Sequence, residues 1–166
     1  MMMHWIGRGL ALIALLGAPA LAPPALADGD DAVVVSGSHN EDLEIHADHL
    51  RIEATVAGDV MAAGGRVDVH SRISGDLFAA GGQLTLGDSV EGAVIAAGGD
   101  VLLAGRVGDD ANLFGGQATL DANVAGDALT MAGNLLLEGG IKGNLRAVGG
   151  RIVVHNRIDG NAAIIG

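Results

Sequence analysis

Cysteine is absent from the chain, so neither a disulfide framework nor a thiolate metal site can be built from it. Tyrosine is absent as well, and Trp5, Phe78 and Phe114 are the whole aromatic complement of 166 residues. A globular core would therefore lack its usual large fillers, although 49% of the residues are hydrophobic. Basic residues are scarce: 9 Lys and Arg stand against 20 Asp and Glu, a formal net charge of −11. That balance argues against nucleic acid and anionic lipid headgroups as electrostatic partners and favours solubility. Beyond the first 27 residues no apolar run is long enough for a transmembrane helix.

What the chain has in plenty is glycine, 28 residues of it, with abundant Ala and Val. Such a composition suits a narrow, stacked core. Gly58, Gly75, Gly92, Asp109, Gly126, Gly143 and Gly160 recur every 17 residues without insertion or deletion. A fixed period this short marks a solenoid, whose units bury their apolar faces only by stacking on one another.

Counting each coil from these residues, the third position holds Val60, Leu77, Val94, Ala111, Ala128, Leu145 and Ala162. The fifth holds Ala62, Ala79, Ala96, Leu113, Thr130, Ala147 and Ile164. A large residue in one column accompanies a small one in the other, which places both in one confined interior. The tenth and twelfth positions are apolar nearly throughout, and the sixteenth is always β-branched, from Ile73 to Ile158. Inward pairs two residues apart are strand periodicity. The fold expected is all-β: a parallel β-helix of 17-residue coils, each with three short strands, about 35 Å long at the inter-strand spacing.

The corners follow from the glycines. Gly65, Gly82, Gly99, Gly116, Gly133 and Gly150 fill the eighth position of six coils, which predicts a backbone with positive φ there. Asp109 at a first position fits a residue type that tolerates the left-handed region. The thirteenth to fifteenth positions, such as His70-Ser71-Arg72, read as a polar third corner. The columns do not follow the hexad rule of left-handed β-helices, and parallel crossovers are right-handed by default.

Residues 1–27 read as a secretory signal peptide: weakly basic His4 and Arg8, an apolar run from Gly9 to Gly17, and Ala25-Leu26-Ala27 as the cleavage pattern. The mature chain would then begin at Asp28, exported to the periplasm or cell envelope. Residues 28–40 read as a linker or N-terminal cap, in which Val33 to Val35 can add an edge strand. Glu41 to Ala57 form a degenerate first coil, and the β-helix spans 41–166.

The phrases VAGDVMAAGG (Val56–Gly65) and IKGNLRAVGG (Ile141–Gly150) resemble the bactofilins, polymer-forming bacterial cytoskeletal proteins. The likeness runs from Glu41 to Gly166. It implies a right-handed, three-faced β-helix that assembles end to end into nucleotide-free filaments, often beneath a membrane and linked to cell-wall work. Bactofilins act in the cytoplasm, and the export signal departs from that pattern.

Candidate chemistry is thin. His70 and His155 share the thirteenth position but stand about 24 Å apart along the stack, too far for one metal; His46 and His49 occupy other positions of the first coil. The second position forms an acidic ladder: Asp59, Asp76, Asp110 and Asp127, with Ala93 interrupting and Asn144 and Asn161 following. Stacked carboxylates can hold calcium, but side chains closing the turn onto nearby backbone explain them at lower cost. No coil carries an insertion, so no wall exists for a catalytic pocket. The expectation is of no cofactor, no metal site and no catalytic residue.

Two features point to assembly. Met61, Phe78 and Ile95, with Leu129 two coils on, occupy the fourth position, between two inward positions, and make an apolar stripe on one outer face, read either as a ladder that stabilises neighbouring coils or as a docking surface. The final coil stops after Ile164 and Ile165, before its second and third strands, which leaves the edge at Val153 and Val154 either to strand addition from another copy or to a cap in further sequence. The function expected is a non-enzymatic scaffold whose partner is another copy of itself. The alternative is a module docking a cell-envelope protein, lipid or glycan through the stripe, with a β-helix enzyme a distant third.

Overall fold

The computed structural model describes residues 12–13, 32–155 and 157–166. Apart from Leu12–Ile13, the signal peptide expected over 1–27 lies outside the described residues. The remainder is a parallel β-solenoid, with no helix among the described residues. Its strands are β1 (Leu12–Ile13), β2 (Val33–His39), β3 (Leu43–His46), β4 (His49–Val56), β5 (Val60–Ile73), β6 (Leu77–Val90), β7 (Val94–Val107), β8 (Ala111–Val124), β9 (Ala128–Leu137), β10 (Leu145–Val154) and β11 (Ala162–Ile165).

From β2 to β11 each residue that joins the ladder pairs with the one 17 positions on, as in Val60↔Leu77, Leu77↔Val94 and Leu145↔Ala162. The short β1 pairs off this period, Leu12 with Val34. Residues 33–39 carry a full strand on β4, so the periodic stack begins before Glu41.

Both compensating columns point inward. Val60 with Ala62, Leu77 with Ala79, Val94 with Ala96 and Ala111 with Leu113 are all buried, as are the tenth, twelfth and sixteenth columns through Leu135, Leu137 and Ile141. Each large aliphatic side chain so buried contributes roughly 1.5–3 kcal/mol, and stacking alone supplies the burial. Ala162 and Ile164, in the last coil, stand exposed although their columns face inward.

The corners differ from the sequence reading in three ways. The strands do not break into three: β5 to β8 each run 14 residues, because the ladder holds as far as the first glycine, Gly64↔Gly81, skips only the second, and resumes at Arg66↔Gln83. Secondly, positive φ does not occur at the eighth position. It occurs at the fourteenth, in Gly37, Asp88 and Gly105. The eighth-position glycines answer to stacking distance instead: a Cβ on Gly82 would lie 2.8 Å from the Gly65 carbonyl oxygen directly below.

Thirdly, the polar corner at His70-Ser71-Arg72 turns its middle residue inward, whereas Asp88 and Gly105 at the same position of the next two coils are exposed. Ser71 is buried; its hydroxyl donates to the Ile52 carbonyl (3.0 Å) and accepts from the Ala54 N–H (3.2 Å). The ladder between β4 and β5 skips Glu53 and Ala54, and the Ser71 side chain fills that gap. A buried N–H left unpaired would be costly.

Candidate assembly faces and edge

The first run of each coil, from the third to the sixth position, presents its even positions to the outside. Register stacks Met61 on Phe78 and Phe78 on Ile95, so the expected stripe is contiguous, with Met61 52% and Ile95 38% exposed. Asn112 interrupts it and Leu129 resumes it.

Reading the sequence by its fourth position missed the neighbouring sixth column. Ala63, Ala80 and Ala97 lead there to Phe114, Met131 and Val148, all in register. Phe114 and Met131 stand one strand alternation from the stripe and extend it where Asn112 breaks it. The signal was available, since a residue two positions on shares a face of the sheet.

The second run carries outward columns that are polar apart from Leu102, which is 38% exposed. Arg66, Gln83, Asp100 and Gln117 stack in one, Asp68, Thr85, Leu102 and Thr119 in the other. Between them lies an open trough of about 430 Å³. A concavity thus arises without any insertion, from long ninth-position side chains beside short threonines. Arg66 is tied up within it, donating from Nε to Gln83 Oε1 at 3.1 Å.

The acidic ladder has a definite bonding role, different from a local turn closure. Each second-position oxygen accepts the N–H of the second residue of the next coil. Asp59 accepts from Asp76 at 2.8 Å, Asp76 from Ala93 at 2.8 Å, Asp110 from Asp127 at 2.7 Å and Asp127 from Asn144 at 2.7 Å. The carboxylates are therefore inter-coil fasteners. Asp127 is held below its ordinary value of 3.8, first by the Asn144 backbone N–H, then by the Asn144 side-chain amide. Among the described residues no group of three His, Cys, Asp or Glu side chains is placed to hold a metal ion. His46, His49, His70 and His155 are all exposed.

At the C-terminal side β11 covers only the first run of β10. Among the described residues no strand stacks on Arg151 to Val154, whose outer backbone edge is open, and Ile152, Val153 and Val154 are only half-buried. Ile164 is 48% exposed, whereas its column mates Leu113 and Ala147 are fully buried.

What the arrangement offers chemically is surface: an apolar face, a trough and a column of fasteners. No protein-family profile, curated protein or solved structure matches the chain.

Proposed function

We propose that the protein is a non-enzymatic structural scaffold, an exported β-solenoid of the bactofilin kind that grows end to end with copies of itself. The observation that carries the reading is the unbroken stacking register, and a coil edge exposed in such a stack templates pairing with another chain. Every pair of coils inside the molecule repeats one register, so a strand added from a second copy can follow the same spacing. Export rests on the leader over 1–27, and the resemblance to bactofilins rests on the repeated phrases; both are readings of the sequence.

The test is light scattering of the chain without residues 1–27, beside a variant carrying Val153→Pro and Val154→Lys. Proline cannot donate to the ladder and lysine solvates an edge. Concentration-dependent growth is expected for the unmodified protein and its loss in the variant. A protein that remains monomeric at high concentration overturns the reading, as does a folded variant that grows equally well.

A further inference from the structure

The apolar face has a partner of definite shape. We propose that the fourth- and sixth-position columns pair two copies of this chain side by side, rods parallel, about a two-fold axis running along the rod. This contact is separate from end-to-end growth.

Charge makes the first argument. From Met61 to Ile165 these two columns contain no acidic residue, and Arg146 is their one formal charge. The outward columns of the other runs carry Asp68, Asp100, Asp121 and Glu138. For a chain of net charge −11, this is the face on which two copies approach without setting carboxylates against each other. An anionic lipid surface would still meet the repulsion of the whole rod.

Shape makes the second. A two-fold axis along the rod, lying between the columns, sets the fourth position of one copy against the sixth of the other at the same coil level. Met61 then meets Ala63 of the second copy, Phe78 meets Ala80 and Ile95 meets Ala97. Where the fourth column drops to Asn112, the sixth rises to Phe114. Large thus faces small in four successive coils, the complementarity that close packing demands; in the fifth, Leu129 meets Met131, two large side chains. At the N-terminal end of the columns Glu44 meets His46. The antiparallel arrangement centred on Ile95 matches Ala63 with Met131 and Ala80 with Phe114 but sets Ile95 on Ile95 and Met61 on Leu129, two large-on-large contacts against one in the parallel arrangement. Nothing inside one molecule requires this alternation, because both columns face outward.

Size sets the strength. Seven coils at about 4.8 Å, across a face about 13 Å wide, amount to roughly 400 Å² on each copy, below the usual size of a stable interface. Two single rods therefore pair weakly, and the contact grows in proportion to rod length. A trap for transient contacts is the appropriate probe.

The cysteine-free chain allows one. Ile95→Cys and Ala97→Cys are purified separately, checked for an unchanged melting temperature, and oxidised alone and mixed. The same pair is repeated with Val153→Pro and Val154→Lys added, so that end-to-end growth does not contribute. Mass spectrometry is expected to find the mixed disulfide dimer at least several-fold above either self-linked dimer. Preferential self-linking of Ile95→Cys overturns the parallel arrangement. Equal low yields in all samples overturn the pairing and leave the face to another occupant.

Discussion

Asp109 stands on the coil whose second residue is Ala93, its N–H donating to the Gly92 carbonyl at 3.2 Å. It is the one non-glycine first position between Gly58 and Gly160, and Ala93 is the one break among the second-position acids and amides of the same stretch. The two exceptions are linked. A Cβ on Gly75 would collide with Asp59 Oδ1 and lie 2.7 Å from the Gly58 carbonyl oxygen, and one on Gly92 would collide with Asp76 Oδ1 and lie 2.7 Å from the Gly75 carbonyl oxygen. The fastening carboxylate and the carbonyl of one coil together favour glycine in the next. Ala93 has no such oxygen, and a side chain is admitted above it.

The pair is therefore expected to be coupled. Ala93→Asp alone restores the carboxylate beneath Asp109 and should destabilise by about 1–3 kcal/mol, the range for overpacking. Adding Asp109→Gly should recover the loss and add a fastening bond. A denaturant double-mutant cycle measures the coupling. Strictly additive effects would show that the carboxylate does not dictate the glycine.

The Asp127 fastener also implies an acid limit. The folded pKa of Asp127 is depressed, so its contribution to stability is present above its unfolded value of 3.8 and is lost as pH falls through the lower folded value. Stability should fall as pH drops below about 4, and Asp127→Asn should flatten that part of the profile. Melting temperatures at descending pH for the two proteins supply the check. Parallel curves would contradict the assignment.

A third expectation concerns Thr130, fully buried in the fifth column between Leu113 and Ala147, its hydroxyl without a hydrogen-bond partner. An unsatisfied buried hydroxyl costs roughly 1–3 kcal/mol. Thr130→Val keeps the shape and removes the cost, so it should raise stability by about 1 kcal/mol. Thr130→Ser keeps the hydroxyl and leaves a void, and should lower it. Chemical denaturation of both variants decides the matter; a destabilised valine variant would mean that the hydroxyl has found a partner.

Much of this fold was legible because one number, the period, fixes every vertical neighbour once the chain is stacked. Volume compensation between Val60 and Ala62, or Ala111 and Leu113, then sorts inward from outward without any structure. Corners were less legible. Glycine at Gly82 is compatible with either positive φ or close stacking, and only the 2.8 Å approach to the Gly65 oxygen separates the two. Ser71 reads as a surface residue by its type; its burial depends on a gap in the ladder to Ala54, 17 residues away. The apolar face was half legible, since the stripe through Met61, Phe78 and Ile95 was followed in one column while Phe114 and Met131 continue it in the next.

The fourteenth position carries the last prediction. Asp88 adopts φ 74° and Gly105, stacked above it, φ 93°. For an L-residue with a side chain the left-handed region costs roughly 1–2 kcal/mol, least for Asn and Asp and most for β-branched types. Asp88→Asn should therefore be neutral, Asp88→Gly neutral to slightly stabilising, and Asp88→Val destabilising by at least 1–2 kcal/mol, although the site is exposed and tolerant of size. Gly105 is more constrained, because a Cβ there would also lie 2.0 Å from the Asp88 carbonyl oxygen; Gly105→Ala should exceed all three in cost. The ordering Asn, Gly, Val at residue 88, measured by urea unfolding, distinguishes a backbone demand from a demand for charge. If valine were tolerated as well as asparagine, the left-handed corner would be wrong. If asparagine alone failed to replace aspartate, the carboxylate rather than the backbone would be what the corner needs.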